Sequence, residues 1–232
     1  MALTNVLLLS QIASYVIGLI LSICVIVPMS MHLQDFNGHC LLFSEGKWQE
    51  EDGQLLVSWA SCRYCYYVIF AATVLCITSI IQIYRLSYLA YKGMDSSFLS
   101  AFLEAVGCGL MCLLSLLAAM FVTLGFITWC QNIMQRFPSC EVAAGQDIDK
   151  KDAIITTHYY IEMGIAQFGA WGAFATWVGL TVFSTLKLCR YHQLENIRVS
   201  MYRERQRLVN EGSPTAGRST PPINVESQVQ EE

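Results

Sequence analysis

Four long stretches of this sequence hold no Asp, Glu, Lys or Arg: residues 1–34, 64–84, 105–135 and 163–186. Charged residues make up only 14% of the chain, against about 25% in soluble domains. A soluble α-bundle keeps a polar face on each helix, so this scarcity argues against one. A bilayer demands it, because a charge at the midplane costs roughly 3 kcal/mol or more. The roughly ten-residue alternation of a membrane barrel is missing too. So is any N-x-S/T sequon, and N-glycosylation is not expected. No nucleophile–base pair, metal-ligand cluster or phosphate-cradling glycine loop is present. Gly107-x-Gly109 lacks the rest of a dinucleotide motif and sits in an apolar run. These absences argue against an enzyme and against a bound cofactor. A net charge of -4, spread evenly, would argue against a nucleic-acid partner. Here acidic residues crowd two loops and the C-terminus and basic residues one segment after the last apolar run, and no nucleic-acid partner is expected.

What remains is abundant apolar residue, 54% of the chain. About 20 such residues cross the hydrocarbon core as a helix. The reading is an all-α membrane protein, a four-helix transmembrane bundle over residues 1–190. Its spans lie at about 7–29, 66–89, 105–128 and 161–186, with outer loops at 30–65 and 129–160. Aromatic residues bracket the spans as a headgroup belt: Tyr64, Tyr66, Tyr67, Tyr84, Tyr88, Tyr91, Trp129, Tyr159 and Tyr160. Pro28 stands where the first span should stop. No Lys or Arg precedes the first run and no clear A-x-A site follows it. It reads as a retained span rather than a signal peptide.

Four spans put both termini on one side. Arg85, Lys92, Lys187, Arg190, Arg198, Arg203, Arg205, Arg207 and Arg218 share that side. Lys47, Arg63, Arg136, Lys150 and Lys151 lie opposite. The excess places the termini in the cytosol, although the loops alone point the other way. The host is then the plasma membrane or a membrane of the secretory pathway. Cysteine supports this orientation. Cys40, Cys62, Cys65, Cys130 and Cys140 all fall in or beside the outer loops, where disulfides persist. Cys40 with Cys62 closes the first loop, and Cys130 with Cys140 clamps the second. Cys65, where the second span begins, faces lipid or competes for the pairing. Cross-loop pairing such as Cys40 with Cys130 stays open. Leu41–Phe43 and Val57–Trp59 suit short strands, and Asn37-Gly38 and Asp52-Gly53 suit turns. Cys62-x-x-Cys65 with His32 or His39 has some zinc-ligand spacing. Without a second C-x-x-C, and facing an oxidising lumen, bridges are the better reading. The remaining cysteines are small apolar fillers, with Cys189 beside Arg190 also placed for palmitoylation.

Within the spans, Glu104 and Glu162 sit at boundaries and read as interfacial carboxylates. Ala166/Ala170, Gly169/Ala173 and Ala175/Gly179 repeat at four-residue spacing, a face that lets helix backbones approach in lipid. That face serves packing within the bundle or a helix of a partner, another membrane protein or a second copy. In the latter case Trp171 and Trp177 are exposed bulk. A transporter would need a polar midplane cavity, for which Gln167, Thr123 and Ser115 are the candidates. Residues 191–211 form a basic amphipathic juxtamembrane helix. Arg198, Arg203, Arg205 and Arg207 there suit anionic lipid. Residues 212–232 are polar and Pro-bearing, hence disordered, with Ser213 and Thr220 as proline-directed phosphorylation candidates.

An ordered set of short motifs resembles the transmembrane protein 179 family of four-pass proteins. It comprises Asp35-Phe36 with Gly38, Cys40-Leu41-Leu42-Phe43, Glu45-Gly46 and Trp48, then Ser100-Ala101-Phe102-Leu103. It continues with Gly125-Phe126, Trp129-Cys130, Ser139-Cys140-Glu141, Gln146-Asp147-Ile148-Asp149, and Ala166-Gln167-Phe168-Gly169 with Trp171. The resemblance covers most of residues 1–190. It implies four helices, cytosolic termini and cysteines matching Cys40, Cys62, Cys130 and Cys140, and it brings no catalytic motif. Cys65 and the chain after about Gln193 depart from it. Trp59-x-x-Cys62 is similar to claudin-type tetraspans over a very short stretch. The functions that follow are an accessory or scaffolding partner of a channel or receptor, a claudin-like adhesion protein, or, less favoured, a small-solute transporter.

Overall fold

The computed structural model describes residues 2–50, 53–93, 98–146 and 154–211. The element order is α1 (Ala2–Asp35), β1 (Cys40–Trp48), β2 (Leu55–Ala60), α2 (Arg63–Lys92), α3 (Phe98–Ile133) and α4 (Tyr159–Glu211). All four helices are long and apolar enough to cross a membrane. The chain divides into two compact units, 1–189 and 190–232. The first is the four-helix bundle with its hairpin. The described part of the second, 190–211, is helical, and Arg198, Arg203, Arg205 and Arg207 are exposed there. Ser213 and Thr220 lie outside the described residues.

The bundle is apolar within and without. Val25, Met29, Val68, Ala72, Ala119, Val122, Met163, Ala166 and Ala170 fill its centre. Ile17, Ile20, Ile77, Ile80, Ile81, Leu110, Leu113 and Leu117 face outward and are exposed. Only a hydrocarbon solvent leaves such a surface without cost. Ser and Thr hydroxyls along the helices, such as Ser22 and Thr73, bond the carbonyl four residues back rather than face lipid unpaired.

Pro28, expected from its position to stop the first span, does not end the helix. α1 runs through it to Asp35. Proline forfeits one ladder bond. Val25, Met29 and His32 on the same side of the helix are all buried, and their packing outweighs that loss.

The connection from α1 to α2 folds back as a two-stranded antiparallel hairpin. Its register pairs Trp48 with Leu55, Gly46 with Val57 and Cys40 with Ala60. Between Cys40 and Glu45 the ladder is irregular: five steps along β1 oppose two along β2. Phe43 lies in this bulge with φ 63, a conformation rare for a bulky side chain. Ser44 stitches the bulge, its hydroxyl donating to the Cys40 carbonyl and accepting from the Ala60 N–H. The bulge drives Leu41 and Leu42 into the protein, and both are fully buried.

Leu42 lands on Gly125 of α3. A Cβ added at Gly125 would stand 2.7 Å from Leu42 Cβ and 3.0 Å from its Cα. The hairpin thus seats on α3 at a glycine, where no side chain stands in its way.

Candidate functional site

Two groups of residues stand out, one at each end of the bundle. The first is polar and lies at the end of the bundle away from the hairpin. Glu104 on α3 was expected to reach water at a boundary. Instead its side chain is fully buried. One carboxylate oxygen stands 3.3 Å from Lys187 Nζ on α4 and 3.7 Å from Arg85 Nη2 on α2. The other accepts from Gln11 Nε2 on α1, at 3.4 Å. All four helices therefore converge on one carboxylate. Burial demands this, since an unpaired ion in such a place costs several kcal/mol, on the order of 3–5. Arg85 is braced in turn by Gln82 Oε1 at 3.2 Å and by the Ser100 hydroxyl. One turn along α3, Cys108 contacts the Tyr15 hydroxyl at 3.4 Å and the Ser184 hydroxyl at 3.5 Å. Linear inspection misses this junction because each charge looks like an ordinary span boundary. The signal was available: opposite charges at matching depth on three spans.

The second group lies at the hairpin end and is aromatic. Phe36, just past α1, meets Trp59, Trp129 and Tyr159 edge-on, with ring centroids 6.1, 6.4 and 6.5 Å away. Trp59 stacks between His39 at 4.8 Å and Trp129 at 6.2 Å. Trp129 and Tyr159 were expected in a lipid-facing belt. Both are fully buried in this cluster, while Tyr66, Tyr84, Tyr88 and Tyr91 are exposed. The Tyr159 hydroxyl donates to the Cys140 carbonyl. Trp48 Nε1 donates to the Asn132 carbonyl at 2.9 Å, and Asn132 Nδ2 donates to the Ser44 carbonyl. The second loop returns to α1 through Ile155 N–H to Asp35 O, at 3.0 Å.

Two disulfides staple this end. Cys130 joins Cys140, as the spacing suggested. Cys40 joins Cys65, not Cys62. The reason is helical phase. Cys62 is the N-cap of α2, and its thiol donates to the Gly38 carbonyl at 3.2 Å. Cys65 lies three residues on, with Val68 and Ala72 on the inner face, and is fully buried. The zinc alternative loses its ligands with that bond. His32 Nε2 already accepts from the Leu41 N–H, and His39 is stacked on Trp59.

The small-residue face of α4 divides. Ala166, Gly169, Ala170 and Ala173 are buried. A Cβ on Gly169 would stand 3.0 Å from the Leu21 carbonyl oxygen, and one on Gly172 would stand 2.9 Å from Leu21 Cδ2. These glycines bring α4 against α1, within the bundle. Ala175 is exposed, and Gly179 has open space before it. Trp177, expected as exposed bulk, is buried edge-on against Tyr15 at 5.9 Å. Trp171 is partly exposed, and its Nε1 donates to Thr123 Oγ1 at 2.9 Å. Gln167 Nε2 donates to the same hydroxyl at 3.2 Å, and Ser115 bonds the Cys112 carbonyl. The three transporter candidates are thus engaged with protein groups.

A family described as Transmembrane protein 179/179B Claudin domain matches residues 7–209. The chain belongs to that family. The match spans all four helices and the hairpin, and it reaches past Gln193, beyond the limit set by short motifs. No solved structure matches the chain. Transmembrane protein 179/179B family membership and four apolar helices make it a multi-pass integral membrane protein with a claudin-like domain.

Proposed function

We propose that this protein is a non-catalytic membrane subunit that recognises other membrane proteins, such as a channel or receptor, through its hairpin end. Its termini lie in the cytosol, so the hairpin faces the lumen or the cell exterior. One observation carries the reading. β2 pairs only with β1 among the described residues, and β1 lies against α3. Among the described residues no strand pairs with the far edge of β2, and Leu56 on that strand is 54% exposed. An open edge on a platform held by two disulfides is suited to strand addition by a partner. The small-residue face of α4 is largely consumed within the bundle, which moves recognition from the lipid-embedded helices to this edge.

A photo-crosslinking residue at Leu56, in native membranes, should give discrete adducts. The same residue at Ala175 should give lipid adducts alone. Failure of Leu56 to capture a discrete protein counts against the proposal. The claudin domain in the family description favours a second reading, adhesion by the same edge across a cell contact. Cell aggregation and paracellular resistance discriminate: unchanged values in both on expression remove it.

A further inference from the structure

The junction around Glu104 is not electrically closed. Two cations face one carboxylate, and among the described residues these are the ion pairs of the bundle. One positive charge is left over. Glu104 is sealed from solvent, but Arg85 and Lys187 are not: their side chains are 32% and 16% exposed. Each has one flank on the carboxylate and another turned outward. A lysine ammonium carries three donors and a guanidinium five. Lys187 commits one to Glu104, and Arg85 commits its own to Gln82, Ser100 and Glu104. Donors therefore remain on both.

The position matters as much as the charge. Arg85, Glu104 and Lys187 bound the charge-free stretches of α2, α3 and α4, and the ends of such stretches are where spans meet headgroups. Lys92, further along α2, sits over the Tyr88 ring at 4.7 Å rather than on a carboxylate. A surplus cation between helices at this level is poorly hydrated on its inner side. The abundant counter-ion there is lipid phosphate.

We infer that Arg85 and Lys187, gathered on one oxygen of Glu104, form a binding site for one singly charged phosphodiester, supplied by the headgroup of an anionic lipid. Glu104 bonds both cations through that oxygen, offsets one of the two charges and leaves the other for the headgroup. The site is separate from the basic segment at Arg198–Arg207, which would attract anionic lipid diffusely.

The test uses the full chain in nanodiscs of phosphatidylcholine with a minor fraction of phosphatidylglycerol. Retained lipid is counted by native mass spectrometry. Substituting Arg198, Arg203, Arg205 and Arg207 by Gln in the same chain removes the diffuse contribution, and one retained phosphatidylglycerol should survive. R85Q and K187Q should each weaken its retention about fivefold, the factor expected for one cation at the surface. Glu104→Gln leaves two unopposed cations and should strengthen retention, an outcome no merely structural role produces. Disulfide mapping of Cys40–Cys65 checks folding at the far end. If E104Q does not fold, R85Q and K187Q decide alone. Retention unchanged in both, or weakened in folded E104Q, overturns the site. Displacement of the lipid by millimolar inorganic phosphate would reassign it to a soluble anion and overturn the lipid assignment.

Discussion

Gly125 and Cys65 show how much single positions carry here. At Gly125 even a methyl group would meet Leu42 Cβ and Cα, and neither can swing aside, because Leu42 is fixed in the bulge. Gly125→Val should cost about 1–3 kcal/mol or more through overpacking. A lowered melting temperature of the detergent-solubilised protein checks this, with G107V, on an open surface, as the unaffected control. The cysteines give a sharper contrast. Cys65→Ala removes a bridge closing 25 residues and should destabilise by about 2–4 kcal/mol. Cys62→Ala loses only a thiol bonded to a carbonyl and should leave Cys40–Cys65 intact. Non-reducing peptide mapping of both variants settles the pairing. A Cys40–Cys62 peptide in the wild type would refute it.

At the scale of elements, α4 and α1 are matched surfaces. Gly169→Leu should separate them and lower stability, whereas Ala175→Leu should be tolerated in lipid, as thermal melts of the two variants will show. The four helices were legible in the sequence because hydrocarbon forces charge out of spans, and that segregation needs no three-dimensional information. The hairpin was legible only in part. Leu41–Phe43 and Val57–Trp59 fall inside the strands, yet the bulge breaks the alternation from which a register is read. Trp129 and Tyr159 illustrate another limit. An aromatic at a span boundary has the same sequence signature whether it faces headgroups or, as here, fills a cluster under a hairpin. Glu104 fails for the same reason. Its depth can be read along the chain, but its partners come from three other helices.

For the whole molecule, the asymmetry between carboxylate and cations sets the order of damage. Removing both cationic partners of Glu104 leaves an ion with no exposed surface and only the Gln11 amide beside it. Removing Glu104 strands two cations that can stretch toward water. The R85Q/K187Q pair should therefore be the more destabilising, on the order of 3–5 kcal/mol, when urea or thermal midpoints are compared with E104Q. The covalent links and the ionic links also occupy opposite extremities, with a dry, shape-fitted middle between them. Such a protein has two independent vulnerabilities. A thiol reductant should fray it from the hairpin inward while the other pole stays protease-resistant. Loss of both cations should loosen it from the ionic pole and leave the hairpin clasped.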